Sequence, residues 1–371
     1  MDGQRLYRIV TPVSRMTWWS THSGYECLVN HLDCECVVPP QSRIARLVGG
    51  GLCNLTKPLQ RLPWYPVEYF QNELAMWVRA FRYQPLVFHF IAPEADLWFC
   101  RYLRRATGQG VVATYHGPPS HLETILSEKD WRSVLSGVDA VILMSNSQRS
   151  FFEVLDPEVD IHVIPHGVDT TVFAPPDHPY TDVEERLCLT VGHWFRDFDT
   201  LRAVHRELRE RWGPQLRLAL VASPPKPLDP ADWPGCELYS GISEEELVGL
   251  YRRASVLLMP MTDSTANNGV LEALACGVPV VASRVGGVGD YVDETCGILA
   301  PKGDVRAHTQ AVSALLEAPE RRRRLAEGAR RRALSFSWPS IARLTSTVYD
   351  DVAGKVCSRR RLRHPRWIRQ S

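Results

Sequence analysis

Residues 265–277, TANNGVLEALACG, constrain this chain more than any other segment. The polar turn Asn267-Asn268-Gly269 leads into a short apolar run that predicts a helix. Gly277 stops it, and Pro279 stands just beyond. Residues 278–282 are apolar and uncharged, which predicts a buried strand. A helix that starts this way turns unpaired backbone N–H groups and the positive end of its dipole forward, and an anion suits that place. Glu272 comes one turn later, where a carboxylate accepts hydrogen bonds from hydroxyl groups. An anion site beside a hydroxyl-binding carboxylate suits a nucleotide sugar.

The same alternation runs through the chain. Apolar stretches at 6–10, 86–91, 110–115 and 140–144 predict strands in the first half, and 187–191, 216–221, 237–239, 256–259 and 278–282 in the second. Amphipathic segments lie between them, so the fold class is α/β, with parallel sheets covered by helices on both faces. Residues 25–32 read as a helix after the first strand, and 304–316, 319–334 and 341–357 as the last helices. Residues 165–186 hold four prolines and mark a linker. Composition agrees with roughly two soluble domains: 371 residues, 44% hydrophobic, 23% charged. A net charge of +1 gives no ground for nucleic-acid binding. The opening MDGQRLYRIV lacks the apolar core of a signal peptide, and no stretch offers eighteen consecutive apolar residues, so a cytoplasmic protein is expected. The ten cysteines include a C-x-C at Cys34 and Cys36 with no second pair at zinc spacing, which reads as reduced thiols.

Taken together, these segments resemble the donor half of the retaining glycosyltransferases of family 4. Besides residues 265–290, VIPHGVDTTVFAP (163–175), LTVGHWFRDFDTL (189–201), SGISEEELVGLYRRASVLLMP (240–260), CGILAPKGD (296–304) and FSW (336–338) stand in family order. The match is close over roughly 160–345 and weak before that. It implies the GT-B fold, two Rossmann-like doubly wound domains facing each other across a cleft. The expected domains are 1–168 on the acceptor side, a linker at 169–186, a nucleotide-sugar domain at 187–340, and at 341–371 a helix returning to the first domain followed by a basic tail.

The resemblance also assigns residues. Gly192, His193, Thr265, Asn267, Asn268, Gly269 and Val270 fall on the donor diphosphate site, Glu272 on the ribose hydroxyls, and Gly24 on the first strand–loop–helix unit, where a small residue lets substrate approach the backbone. The family loop carries an arginine and a lysine as diphosphate clamps. Here His193 takes the arginine position, and Arg196 stands in for the lysine, its guanidinium suited to phosphate. His116 follows a strand and is expected near the reacting centre, orienting substrate. The family pairs two glutamates eight positions apart. Glu272 is the second, but the first falls on Ser264, with Asp263 beside it as the substitute. Asp197-Phe198-Asp199 spells D-x-D, which at a helix start reads as capping, so no metal and no other cofactor are expected. His166, Gly167 and Asp169 read as a structural hinge. Gly49-Gly50-Gly51 lacks the G-K-[ST] of a phosphate loop. Trp18, Trp19, Trp64 and Trp77 crowd the first half, and Trp18 and Trp19 suit stacking on an acceptor.

The implied activity is metal-independent, retaining transfer of a sugar from a UDP- or GDP-linked donor to a glycan, lipid or small-molecule acceptor. A sugar-nucleotide epimerase or phosphorylase on the same fold, and a non-catalytic binding or partner protein, are the alternatives. The departure at Ser264 favours the last of these. Residues 355–369 carry basic residues and no acids, with Trp367 and Ile368. They read either as a solvated terminus or as a peripheral contact with an anionic inner-membrane surface.

Overall fold

The computed structural model describes residues 7–13, 22–38, 43–60, 65–81, 84–176, 186–222 and 228–363. Trp18, Trp19, Trp64, Trp367 and Ile368 lie outside the described residues. The chain divides into two units, one of residues 1–19, 24–164 and 341–371, the other of residues 20–23 and 165–340. The boundary falls at Ile164/Pro165, a few residues before the expected linker. Its cause lies in the second unit: Val168 N–H donates to Phe336 O at 2.9 Å, and a side chain on Gly167 would overlap the Trp338 ring.

In the first unit, six parallel strands run β1 (Arg8–Pro12), β2 (Cys34–Val37), β3 (Leu86–Phe90), β4 (Gly110–Tyr115), β5 (Ala140–Leu143) and β6 (Ile161–Val163), in the order β2-β1-β3-β4-β5-β6. Of the four inner strands, β3, β4 and β5 are buried along their whole length, as a sheet covered on both faces requires. The segment expected as the first helix is a 3-10 helix, Tyr25–His31. The last helix, Trp338–Arg363, begins three residues earlier than expected and packs its body on this unit. Gly110 sits so close to it that an added side-chain carbon would lie 2.6 Å from Val352.

One buried carboxyl of this unit carries a measurable pH signature. Glu73, 1% exposed, accepts from the Tyr65 hydroxyl and from the Phe99 and Cys100 amides. Burial pushes its pKa up to about 7, although those donors and the Arg101 charge pull the other way. A raised folded-state value means stability that is complete below the unfolded value of 4.5 and is lost as pH rises through about 7. Between pH 4.5 and 8 the loss from this group is roughly 3 kcal/mol. Denaturant unfolding of wild type and Glu73→Gln across that range should give curves whose difference follows this slope, and parallel curves would refute it.

The second unit repeats the layout with β7 (Arg186–Val191), β8 (Leu216–Val221), β9 (Cys236–Tyr239), β10 (Val256–Met259), β11 (Val280–Ser283) and β12 (Gly297–Ala300), in the order β12-β11-β10-β7-β8-β9. All pairs are parallel, and β7 and β10 are neighbours from which the strand order runs outward in opposite directions. The helices Phe198–Trp212 and Val305–Glu317 cover one face, burying Leu201, Val204, Leu208, Val312 and Leu315.

Candidate functional site

The crevice outside the carboxyl ends of β7 and β10 is where an open sheet of this order places its ligand. Two loops leave those ends side by side. Asp197 N–H donates to Pro260 O at 3.0 Å, and Thr262 N–H to Phe195 O at 2.9 Å. Gly192 makes the first turn at φ +81°, a left-handed conformation that suits glycine, and Phe195 takes φ 54° three residues later. A third loop braces the second. Gly287 N–H donates to Ser264 O at 2.8 Å, and an added carbon on Gly286 would come within 2.0 Å of that same oxygen.

The second loop ends in the helix Asn268–Ala275. Asn267 caps it, its Oδ1 accepting from Val270 N–H at 3.2 Å. The cap leaves the first-turn amides of Asn268 and Gly269, which no carbonyl within an α-helix can satisfy. Every residue from Gly269 to Ala275 is buried, and Gly277 ends the helix at φ +74°. Glu272, 5% exposed, sits inside this shell. Tyr251 donates its hydroxyl to Oε2 at 2.8 Å, and Ser23 donates its own to Oε1 at 2.5 Å. Burial raises the carboxyl above its usual range, the two hydroxyls partly offset that, and the charge of Glu244 adds to it. Asn268 Nδ2 donates to Ser23 O at 2.6 Å, and His22 N–H donates to Glu244 Oε2 at 3.2 Å, so His22 and Ser23 belong to this shell.

Arg196 lies here, but it faces inward. Its Nε and Nη2 donate to Val191 O at 2.9 and 2.8 Å, Nη1 to Trp194 O at 3.0 Å, and Nη2 also to Asn267 Oδ1 at 3.2 Å. The fork expected on phosphate is thus spent on bracing the first loop against the helix cap. Burial lowers its pKa to about 10, so its charge persists at neutral pH. His193 is half-buried, and burial, then the nearby Arg196 charge, holds it below the ordinary histidine range. Asp263 is half-buried and accepts from Ser264 N–H at 2.8 Å. Ser264 and Thr265 are buried at 4% and 5% exposure. An added carbon on Gly269 would make ordinary contacts at 3.4–3.5 Å, and Val270 packs into the core. The structure therefore gathers Gly192, His193, Arg196, Asp263, Thr265, Asn267, Asn268, Gly269, Val270 and Glu272 in the second unit.

Gly24 and His116 belong to the first unit. Gly24 precedes the 3-10 helix in extended conformation. His116 Nε2 donates to Ile91 O at 2.7 Å, its backbone N–H donates to Glu94 at 2.7 Å, and its ring meets Tyr25 edge-on at 4.9 Å. The D-x-D is a cap: Asp197 accepts from Thr200 N–H at 3.0 Å and from the Thr200 hydroxyl at 2.7 Å, while Asp199 pairs with Arg202 at 3.1 Å. Among the described residues no group of three His, Cys, Asp or Glu is arranged to hold a metal ion. Sequence reasoning missed Tyr251 and Ser23, the two hydroxyls on Glu272.

Residues 36–172 match the family described as Glycosyltransferase Family 4, and residues 187–318 match Glycosyl transferases group 1. A GDP-mannose-dependent alpha-(1-6)-phosphatidylinositol monomannoside mannosyltransferase of Mycolicibacterium smegmatis is 31% identical over 263 residues, which is 63% of this chain and 68% of that protein. An MMP alpha-(1->4)-mannosyltransferase of Mycolicibacterium hassiacum is 32% identical over 215 residues, 55% of this chain and 51% of that protein. The chain spans about half the length, or less, of this and other curated relatives it matches. The crystal structure of Anabaena HepE in complex with UDP aligns with a TM-score of 0.67 at 13% identity, over 93% of this chain and 100% of that one. At that identity the likeness shows the fold alone, two Rossmann-like domains of the GT-B type.

Proposed function

The chain belongs to glycosyltransferase family 4, and from that premise we propose that it transfers a sugar, with retention and without a metal, from a nucleotide-diphosphate donor to a hydroxyl acceptor. The observation that carries this reading is Glu272, a buried carboxylate already accepting from two hydroxyls, one turn into a helix whose capped N-terminus ends the β10 loop. A ribose diol offers the same chemistry as Ser23 and Tyr251. Donor entry exchanges one hydroxyl, that of Ser23, for another at little cost. The amides of Asn268 and Gly269, with the helix dipole, receive the diphosphate. Arg196 adds its fixed charge to that end and holds the Asn267 cap. These groups are preorganised where charge grows on the leaving diphosphate, which is how such a site accelerates transfer. No side chain of the site stands as a covalent nucleophile in this scheme, and positioning supplies the rest.

Two of the relatives are mannosyltransferases, one of them GDP-mannose-dependent, and others are named D-inositol 3-phosphate glycosyltransferases, so GDP-mannose heads the donor panel and an inositol phosphate the acceptor panel. Slow release of one nucleoside diphosphate from one donor, unchanged in EDTA, is the expected result. Activity lost in EDTA and restored by Mn²⁺ overturns metal independence. The second reading is a protein that binds donor without transferring it. Ser264 favours it, because a buried serine replaces the first family glutamate and Asp263 spends one oxygen on a backbone amide. Saturable donor binding with no release above background selects that reading.

A further inference from the structure

Cys34 and Cys36 stand two positions apart on β2, so both thiols lie on one face of the first sheet. Their sulfurs are 3.9 Å apart. Glu35, between them, points to the other face and pairs with Arg79 at 2.5 Å. β2 is an edge strand, paired with β1 on one side only. Of the ten cysteines, all free thiols, Cys36 is the exposed one and Cys34 is half-buried. Thr11 shares their face: it is in register with Cys36 and fully buried. No hydrogen bond to its hydroxyl closes at full geometry, yet the hydroxyl stands beside Cys34 and favours that residue's thiolate. A buried hydroxyl is rarely left open, and this one has the Cys34 sulfur as its acceptor once that sulfur carries charge.

The backbone permits a bond between the two sulfurs. Residues two apart in a strand have Cα atoms about 6.6 Å apart. Disulfides usually span about 4.4–6.8 Å between Cα atoms. Bringing the sulfurs together asks for rotation of both side chains and a pucker of the strand. An edge strand yields to that pucker, because no neighbour pairs with its outer side.

The two thiols also differ in the way that exchange requires. Cys36 meets solvent and attacks first. Burial, then the charge of Cys36, pushes the Cys34 pKa up to about 12, and Asp33 adds to the rise. Once Cys36 is bonded to another sulfur it carries no charge. That part of the rise then vanishes, while the Thr11 hydroxyl still favours the Cys34 thiolate.

We propose that Cys34 and Cys36 form a reversible dithiol–disulfide site, oxidised by exchange with a small-molecule disulfide. The Cys36 thiolate attacks one sulfur of the small disulfide, whose S–S bond breaks. The released thiolate takes up the proton that Cys36 lost. Cys34 then loses its proton and attacks Cys36 Sγ, forming the internal bond. The second small thiolate leaves and takes that proton. Two protein thiols are oxidised, and one small disulfide is reduced to two thiols. The site lies in the first unit and does not rest on the donor-site reading.

The test exposes the folded full chain to glutathione disulfide, followed by thiol counting after denaturation and by peptide mapping. Two of the ten thiols should be lost, roughly ten-fold faster than any other, and both should return with dithiothreitol. Mapping should place the bond between Cys34 and Cys36, with no glutathione retained, and Cys27→Ser should change nothing. Cys34→Ser should stop at a glutathione adduct on Cys36. A lasting adduct on Cys36 in the wild type, a covalent dimer through Cys36, a bond from Cys36 to Cys27, or no loss of thiols overturns the proposal. If Cys34→Ser fails to fold, the wild-type map still decides.

Discussion

Glu272→Gln is expected to lower kcat/KM for the nucleotide sugar about 100-fold, mostly through KM. The carboxylate accepts on both oxygens, whereas the amide can accept on only one and presents a donor at the other. A hydrogen bond to a charged acceptor contributes roughly 1.5–3 kcal/mol, and losing one inside a dry site corresponds to about two decades. The ribose is remote from the bond that breaks, so ground state and transition state lose alike and kcat changes little. Glutamine keeps an oxygen for Tyr251, 2.8 Å away, so folding should survive. Alanine would leave that buried hydroxyl without its acceptor and confound the reading with instability. Steady-state release of nucleoside diphosphate by wild type and variant checks this. A change of less than three-fold would remove Glu272 from the donor site.

The largest effect on stability is expected at Asp139, a buried carboxylate of the first unit. Its side chain is 1% exposed, accepts from Val111 N–H at 3.0 Å, and pairs with Arg359 at 2.6 Å and Arg104 at 2.8 Å. Arg359 lies on the last helix, which Lys355 also ties down through Asp160 at 2.6 Å. Replacing Asp139 with alanine strands a buried backbone donor and two facing guanidinium groups. Breaking a buried pair this way costs about 3 kcal/mol, toward the low end of the usual range because both arginines stay partly in water. Urea unfolding should show the loss, while Asp160→Ala, at the surface, should cost under about 1 kcal/mol. Equal and small effects would mean that apolar packing such as Val352 on Gly110 holds the helix by itself.

Much of this was legible in the sequence because buried parallel strands are uniform apolar runs. Residues 110–115, 216–221 and 256–259 are strands with those bounds. The edge strands β2, CECV, and β6, IHV, are half-polar and short, so they carry no run to read. The helix at Asn268 was legible because its cap, its apolar face and its stop all point the same way. Arg196 shows the limit. Its place in the order of residues put a cation in the right loop, but Gly192 at φ +81° folds that loop back, and the guanidinium finds the Val191 carbonyl before it finds solvent. Tyr251 and Ser23 carried no local signal. They stand 21 and 249 positions from Glu272, and only the tertiary fold brings their hydroxyls to it.

The proposed function makes the helix at Asn268 and the carboxylate within it a nucleotide-diphosphate site. Amide hydrogen exchange over residues 265–275, with and without saturating GDP or UDP, tests it most directly. Slowed exchange is expected at Asn268, Gly269 and Val270 with one of the two nucleotides, and weaker slowing of the same amides in Glu272→Gln at equal concentration. Unchanged exchange there, with protection by the nucleotide elsewhere or nowhere, would contradict it.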